Sequence, residues 1–320
     1  MKRRTMGATG LEVSELGFGA SPLGAVYGAF AEPDGIDAVH TALNLGVCFF
    51  DVSPYYGATL AETVLGKALR GVERSSYVLA TKVGRYGDDV FDFTADRVRR
   101  SVHESLKRLR TDHLDLVQCH DIEFGDLGHV VHETLPALRE MQAAGLVRAV
   151  GITGYPLGAL RHVAARTPVD TVMSYCQYTL QDRRLARYGP EFDTARTAVI
   201  NAAPLAMGAL TAPGPAAWHP APTPVLERCA AAAELCRVRG ADIARLAVQF
   251  AVSTGGFAST VVGASSARKI RRLVEWIAQP LDGELLRAVE DCLAPVRDRG
   301  WLNGRPENQH PENQHREERP

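Results

Sequence analysis

The feature that most limits the fold of this chain is the alternation of short apolar segments with longer amphipathic ones. Eight segments of five or six apolar, often β-branched residues predict buried parallel strands. They lie at 16–20, 48–52, 77–81, 114–119, 147–152, 171–175, 198–202 and 259–263. Helix-like stretches follow them, for example at 34–45, 60–70, 94–109, 128–144 and 266–278. Eight such units in 320 residues predict an α/β fold, a closed (β/α)8 TIM barrel.

A doubly wound parallel sheet is the main alternative, but it usually carries a GxGxxG fingerprint after its first strand. The glycines of GFGASPLG at 17–24 have a different spacing, so we favour the barrel. The residues before Leu16 predict a β-hairpin, with GATG as its turn, that closes the bottom of the barrel. An extra helix is predicted at 282–294, after the last unit.

The domain organisation follows from this pattern. Residues 1–302 are expected to form one barrel domain, in which the Pro/Ala-rich stretch 209–223 is a long loop on the active-site face. Residues 303–320 are polar and contain PENQH twice in tandem, so we predict a disordered tail.

Composition excludes several classes of protein. The net charge of −1 argues against a nucleic-acid or membrane-surface partner. No apolar run approaches the ~18 residues of a membrane span, and the N-terminus lacks the apolar core of a signal peptide. The six cysteines are scattered without metal-ligand spacing, so we expect a cytoplasmic protein with buried thiols and no metal site. A redox role for Cys119, beside His120, is the alternative.

Candidate catalytic residues stand where consecutive predicted strands end. Asp51, Lys82 and His120 end the second, third and fourth strands. Barrel enzymes place their active sites where the carboxyl ends of the strands meet. The stretch DVSPYYG at 51–57 adds two tyrosines in the turn above the aspartate. We expect Tyr56 to reach over the barrel mouth as the catalytic residue and Tyr55 to line the pocket.

These residue types suit proton transfer coupled to hydride transfer. A free tyrosine has a pKa near ~10, and a nearby ammonium such as that of Lys82 would stabilise its phenolate. Asp51 would hold the lysine, and His120 would orient the substrate oxygen or help to move the proton. No side chain can carry a hydride, so the reaction requires a cofactor that does. Taken singly, each residue has a structural alternative, such as a turn cap, an exposed charge or a structural histidine.

At this point the chain resembles the aldo-keto reductase family. The family's tetrad of Asp, Tyr, Lys and His maps onto Asp51, Tyr56, Lys82 and His120, with the family's spacing of five between the first two. Supporting motifs are TGLEVSELGFG at 9–19, GITG at 151–154, APLAMG at 203–208 and VVGASS at 261–266. The resemblance extends to about residue 280.

Further stretches resemble one branch of that family, the plant-type L-galactose dehydrogenases. They include FFDVSPYYGATLAETVLGKAL at 49–69 and HDIEFGDL at 120–127. The resemblance implies an NAD(P)-dependent oxidoreductase that oxidises C1 of L-galactose or a related aldose, such as L-fucose, to a lactone, with Tyr56 as base. The partner is thus a small-molecule sugar; the oligomeric state is not predicted. The alternatives are an NADPH-dependent reductase of small aldehydes or ketones and a non-catalytic nicotinamide-binding regulatory subunit.

The resemblance also implies a cofactor site. The implied contacts are Thr153, Leu205, Gly263, Ser265, Ser266 and Lys269. Hydroxyls and helix N-terminal amides suit phosphate groups, and a lysine suits the 2′-phosphate of NADP. The basic charge of this segment favours NADP, whereas the resemblance to the L-galactose dehydrogenases favours NAD. We expect NAD as the cofactor, and use of both cofactors is the alternative. Tyr175 and Ala202 replace a Gln and a Tyr that many members use at the nicotinamide, so those two roles are not carried over.

Four residues are candidate substrate contacts, namely Tyr55, Asp121, Trp218 and His219. An aromatic face suits the apolar face of a sugar ring, which favours the tryptophan. Asp121 would bind sugar hydroxyls. The alternative for Trp218 and His219 is that they anchor their loop against the barrel, and the alternative for Asp121 is that it fixes its own loop.

Overall fold

The structure is a computed structural model that describes residues 1–26, 28–192, 195–253 and 256–309. Its main body is a barrel of eight parallel strands. These are β3 (Leu16–Gly19), β4 (Phe49–Asp51), β5 (Val78–Val83), β6 (Leu114–Cys119), β7 (Val147–Gly154), β8 (Thr171–Tyr175), β9 (Ala198–Ala202) and β10 (Ser259–Gly263). Each strand pairs with the next one along the chain, and β10 pairs with β3 to close the barrel. The predicted (β/α)8 fold is confirmed.

Helices cover the outside of the barrel. They are α1 (Glu32–Asn44), α2 (Leu60–Ala68), α3 (Ala95–Leu109), α4 (Leu127–His129), α5 (Leu135–Ala143), α6 (Leu157–Ala164), α7 (Arg184–Tyr188), α8 (Thr223–Val238), α9 (Ile243–Ser253), α10 (Ala267–Ile277) and α11 (Gly283–Leu293). A π-helical turn at Val130–Thr134 joins α4 to α5. The predicted extra helix after the last unit is α11. None of the helices in the described residues has the length and apolar character that a membrane span requires.

The bottom of the barrel is closed by the predicted hairpin. Strands β1 (Arg3–Thr5) and β2 (Glu12–Ser14) pair antiparallel. The buried side chains of Met6, Leu11 and Val13 pack against the inward-facing barrel residues. This plug closes the floor of the barrel with apolar side chains.

The alternation of side chains along the strands explains why charged residues stand inside the barrel. Residues two apart on a strand point to the same face. Phe49 on β4 and Ala80 on β5 belong to the inward-facing apolar cluster. Asp51 and Lys82 each follow two residues later, so they continue the same inward rows at the carboxyl ends of their strands. The polar layer therefore sits directly on the apolar floor.

Part of the predicted tail is ordered. Residues 303–309 lie against the barrel mouth, and Asn308 is buried. Its Nδ2 donates hydrogen bonds to the backbone oxygens of Glu123, at 2.9 Å, and Gly125, at 2.8 Å. These buried carbonyl groups need donors, and the asparagine supplies them. Residues 303–309 thus pack against the barrel, within the stretch for which the sequence predicts a disordered tail, and residues 310–320 lie outside the described part of the chain.

Candidate active site

The carboxyl ends of the barrel strands surround a cavity of about 1050 Å³. Asp51, Tyr56, Lys82 and His120 all line it. Asp51 is the last residue of β4, Lys82 the next to last of β5, and His120 directly follows β6. The strand registers bring these positions together at one rim. The structure thus assembles the four residues that the sequence proposed.

Lys82 and Asp51 form a buried ion pair at the floor of this cavity. Nζ of the lysine donates to both carboxylate oxygens, at 2.8 and 2.7 Å, and to the backbone oxygen of Val52, at 2.9 Å. The two residues are 1% and 4% exposed. Burial raises the pKa of Asp51, and the neighbouring ammonium opposes that rise. All three ammonium protons have oxygen partners, so the lysine is held in one place.

Tyr56 lies directly beside this ammonium. The Lys82 nitrogen is 5.2 Å from the centre of the Tyr56 ring. A tight turn sets the tyrosine there, with its backbone N–H bonded to the oxygen of Ser53. Gly57 continues the turn with a φ of +62°, and a Cβ on it would lie 2.2 Å from the oxygen of Gly24. Only glycine fits this position, so the turn DVSPYYG is shaped to place the tyrosine.

His120 is a neutral imidazole in this environment. It is 5% exposed, and burial lowers its pKa to about 3. Its Nδ1 is 3.0 Å from Oγ of Ser53. Its ring meets the Tyr56 ring edge to face, with centroids 5.6 Å apart. The histidine can therefore exchange a hydrogen bond with a ligand near the phenol without adding a charge.

One wall of the cavity is formed by a charged cluster. Nη1 of Arg85 is 2.6 Å from Oδ2 of Asp121. The guanidinium also stacks on the Tyr55 ring, 3.9 Å from its centre, and the Tyr55 hydroxyl donates to Asp88 at 2.8 Å. The structure thus brings the predicted substrate contacts Tyr55 and Asp121 to the cavity. Arg85 was not predicted, because a lone arginine after a strand carries no distinctive sequence signal.

Another part of the cavity wall comes from the C-terminal segment. Asn303 and Trp301 line the cavity together with Tyr175. Nδ2 of Asn303 donates to Oε1 of Glu123, at 2.7 Å, and to the Tyr175 hydroxyl, at 3.0 Å. Burial, together with the negative charge of Asp121, raises the pKa of Glu123 to about 8. Both protons of the side-chain amide are used within the protein, so the side-chain oxygen Oδ1 of Asn303 is the part left for a ligand.

Comparison with known proteins agrees with this geometry. The Aldo/keto reductase family matches residues 15–294. The chain belongs to the aldo-keto reductase family. It is 44% identical to the L-galactose dehydrogenase of Arabidopsis thaliana over 314 residues, which is 95% of this chain and 98% of that protein.

Other relatives of this aldo-keto reductase have similar names. The D-arabinose 1-dehydrogenase of Saccharomyces cerevisiae is 33% identical over 258 residues, covering 75% of this chain and 76% of the relative. Among solved structures, the holo form of an aldo-keto reductase from Bacillus halodurans superimposes with a TM-score of 0.79. It is 25% identical and covers 97% of this chain and 99% of its own.

Five of the six expected cofactor residues line the cavity. These are Thr153, Leu205, Gly263, Ser265 and Lys269. Gly263 is exposed at the end of β10, where a Cβ would lie 3.1 Å from the Pro22 side chain. The missing side chain leaves a cradle that a phosphate can approach, so these residues fit a dinucleotide.

Ser266 has a different role from its neighbours in the structure. It caps the N-terminus of α10, since its Oγ accepts from the backbone N–H of Lys269. The lysine side chain turns towards Ser265, whose Oγ is 3.2 Å from Nζ. A helix N-terminus, a hydroxyl and an ammonium therefore face the same part of the cavity, as suits an anion.

The structure separates the last two predicted substrate contacts. Trp218 lines the cavity and is 56% exposed. His219 is buried beside the cavity, where Nε2 contacts the backbone oxygen of Ala206, at 3.0 Å, and Nδ1 accepts from Ala221 N–H, at 3.1 Å. Both of its ring nitrogens are therefore used by the loop, and the structure supports the loop-anchoring alternative for His219.

Two further sequence expectations concern sulfur and metals. Cys119 is fully buried, and burial raises the pKa of its thiol. A protonated buried thiol is a poor nucleophile, so the alternative redox role has no support here. Within the described ranges, no cluster of three or more His, Cys, Asp or Glu residues is arranged to hold a metal ion.

Proposed function

We propose that this aldo-keto reductase is an NAD(P)-dependent sugar 1-dehydrogenase. It oxidises the anomeric C1 of L-galactose, or of a related aldose such as L-fucose, to the lactone. The observation that carries this proposal is the hydrogen-bonding character of the cavity walls around Tyr56. Arg85, Asp121, Tyr175 and Asn303 all line this cavity with Tyr56.

These walls suit a polyol better than a simple aldehyde. Small-molecule pockets are lined mainly by apolar side chains, and a few precisely placed polar groups give them their specificity. Here donors and acceptors are fixed by partners within the protein, such as Asn303 by Glu123 and Asp121 by Arg85. A site built to hydrogen-bond hydroxyl groups rejects analogues that lack them. The names of the Arabidopsis and yeast relatives support the same substrate class.

In the proposed reaction Tyr56 is the base. Its phenolate takes the proton of the C1 hydroxyl group while the C1–H bond breaks. The Lys82 ammonium stabilises the phenolate before the transfer, and Asp51 keeps that ammonium in position. A bound nicotinamide supplies the acceptor for the hydride that leaves C1. The product is the lactone, because the ring oxygen is already bonded to C1.

The other residues bind and orient the sugar. Neutral His120 forms a hydrogen bond with the C1 oxygen, in which negative charge develops as the proton leaves. Trp218 covers an apolar face of the ring, and Asp121 and Asn303 contact ring hydroxyls. The roles of Thr153, Leu205 and Gly263 are to line the dinucleotide site.

The preference between NAD and NADP rests on α10. Lys269 faces the cavity, whereas the guanidinium of Arg272 pairs with Asp242 at 3.1 Å and stacks on Trp276. Arg272 thus has an acidic partner within the protein, and Lys269 is the basic residue of α10 that lines the cavity. We propose NAD as the preferred cofactor, with NADP also accepted.

The test is the formation of reduced nicotinamide by the purified protein. L-galactose, L-fucose, D-arabinose and D-galactose are each offered with NAD and with NADP. Oxidation of the L-sugars supports the proposal, and the ratio of rates gives the cofactor preference. If no sugar is oxidised while NADPH reduces simple aldehydes, the proposed function is refuted and the protein is a reductase of small aldehydes. Binding of nicotinamide without any turnover would favour the regulatory subunit.

The chain offers a matched pair of variants for the mechanism. Tyr56→Phe removes the proposed base and should abolish turnover while the protein still binds cofactor. Tyr55→Phe removes an identical hydroxyl one residue away, whose partner is Asp88. It should change KM and leave kcat close to that of the wild type. A Tyr56→Phe variant with near wild-type kcat would refute Tyr56 as the base.

A further inference from the structure

Ser53 is a buried polar residue that the mechanism so far does not use. It lies in the turn between β4 and Tyr56 and is 0% exposed. Its Oγ lies within hydrogen-bond distance of two groups. The backbone N–H of Tyr55 donates to it at 3.1 Å, and Nδ1 of His120 is 3.0 Å away. Which partner supplies the proton in the second contact decides how the histidine meets a substrate.

Counting donors and acceptors settles the direction of that hydrogen bond. A serine hydroxyl has one proton to donate and two lone pairs that accept. The Tyr55 N–H can only donate, so it takes one of the lone pairs. Within the described residues, the acceptor left for the hydroxyl proton is Nδ1 of His120. If Nδ1 carried the proton instead, the hydroxyl proton would be buried without an acceptor, which is unfavourable.

We infer that Ser53 fixes the tautomer of His120, with the imidazole proton on Nε2 facing the cavity. The neighbours of Nε2 leave that proton available. Oδ2 of Asp121 is 3.8 Å from Nε2, too far for a hydrogen bond, and the same oxygen is bonded to Arg85 at 2.6 Å. His120 itself lines the cavity. Ser53 is therefore a positioning residue that acts through the histidine.

The consequence for catalysis rests on the function proposed above. With its proton on Nε2, His120 can donate to the C1 oxygen of a sugar but cannot accept the hydroxyl proton there. That proton is left to Tyr56, so the tautomer assigns the two groups different roles. The opposite tautomer would present a lone pair to the substrate and would lose the stabilisation of charge on the C1 oxygen.

The tautomer can be measured without any substrate. The two ring nitrogens have distinct 15N chemical shifts when protonated and unprotonated, so NMR of the full chain with 15N-labelled histidine reports the tautomer directly. The chain has 10 histidines, and the His120→Gln spectrum identifies the signals of His120 by difference. We expect an unprotonated Nδ1 and a protonated Nε2 at neutral pH. A protonated Nδ1 would overturn the inference.

Variants of the serine test whether it is the cause. Ser53→Ala should give a mixture of tautomers and lower kcat by about 10-fold to 100-fold, less than the loss on removing an oxyanion donor outright. KM should change little. Ser53→Thr keeps the hydroxyl and should keep the wild-type nitrogen pattern and most of kcat. Ser259→Ala is the control, since Ser259 is equally buried and donates to a backbone oxygen at the barrel bottom.

The outcomes separate this inference from the proposed function. If no sugar is oxidised, the proposed function fails, and the nitrogen pattern still decides the tautomer. A Ser53→Ala protein that keeps the wild-type pattern refutes Ser53 as its cause, even if kcat falls through a shift of the turn. If Ser53→Ala does not fold, the patterns of the wild type and of Ser53→Thr decide, and a protonated Nδ1 in either overturns the inference.

Discussion

Replacing Lys82 with methionine should separate the stability of this protein from its chemistry. The substitution keeps an unbranched side chain that is one atom shorter and removes its charge. It leaves the Asp51 carboxyl, which is 4% exposed, without its ionic partner. Removing one partner of a buried pair costs about 3–5 kcal/mol of unfolding free energy. Because burial already raises the pKa of Asp51, the carboxyl can take up a proton, and we expect the lower end of this range.

A second substitution should recover much of that loss. Lys82→Met with Asp51→Asn leaves no buried charge, so the penalty of a single unpaired buried charge is removed. The difference between the single and double variants should grow with pH, because a carboxyl with a raised folded pKa loses its stabilising contribution as pH rises through that value. Urea unfolding followed by circular dichroism at several pH values measures this.

Catalysis should not recover. The lysine nitrogen is 5.2 Å from the Tyr56 ring centre, which at an effective dielectric constant of ~20 corresponds to about 3 kcal/mol of phenolate stabilisation. We therefore expect kcat at neutral pH to fall about 200-fold or more in both variants. Their rates should rise towards the pH at which a free phenol ionises, about 10. Near wild-type kcat at neutral pH in a folded Lys82→Met protein would refute the role of the ammonium.

Four further predictions concern other residues of the site. Burial lowers the pKa of His120 to about 3, so the free energy of unfolding should fall as the pH drops below the usual pKa of ~6.5. In urea titrations at acid pH, His120→Gln should lose less of this free energy than the wild type. The pKa of Glu123 is raised to about 8. The contribution of this carboxyl to folding stability is therefore full below about pH 4.5 and is lost as the pH rises through 8. Glu123→Gln should therefore gain stability relative to the wild type between pH 5 and pH 9 in the same titrations. Lys269→Ala should raise KM for NADP more than for NAD in initial-rate kinetics, and equal effects would exclude a contact with the 2′-phosphate. Asn303→Ala should raise KM for the sugar with little change in kcat, and an unchanged KM would remove it from the substrate site.

The barrel could be predicted from the sequence because buried parallel strands are apolar along their whole length. Each of the eight predicted strands agrees with the structure to within about two residues at both ends. The convergence of Asp51, Lys82 and His120 followed from topology alone, since all barrel strands end at one rim.

What could not be predicted depends on contacts between distant parts of the chain. Glu123 and Asn303 are 180 residues apart, and no local pattern links them. The packing of residues 303–309 against the barrel could not be predicted for the same reason. The composition of this polar, repetitive segment does not show that Asn308 meets the buried backbone oxygens of Glu123 and Gly125. His219 shows a further limit, since its sequence position gives the loop but not the direction in which the ring turns.

The wall that the C-terminal segment supplies has a consequence for the timing of assembly during synthesis. Trp301 and Asn303 emerge from the ribosome after every strand of the barrel has been made. Their partners Tyr155, Tyr175 and Glu123 belong to the middle of the chain and must wait for them. A nascent chain therefore contains Tyr56, Lys82 and His120 well before it contains Trp301 and Asn303, so the C-terminal part of the cavity wall is added last.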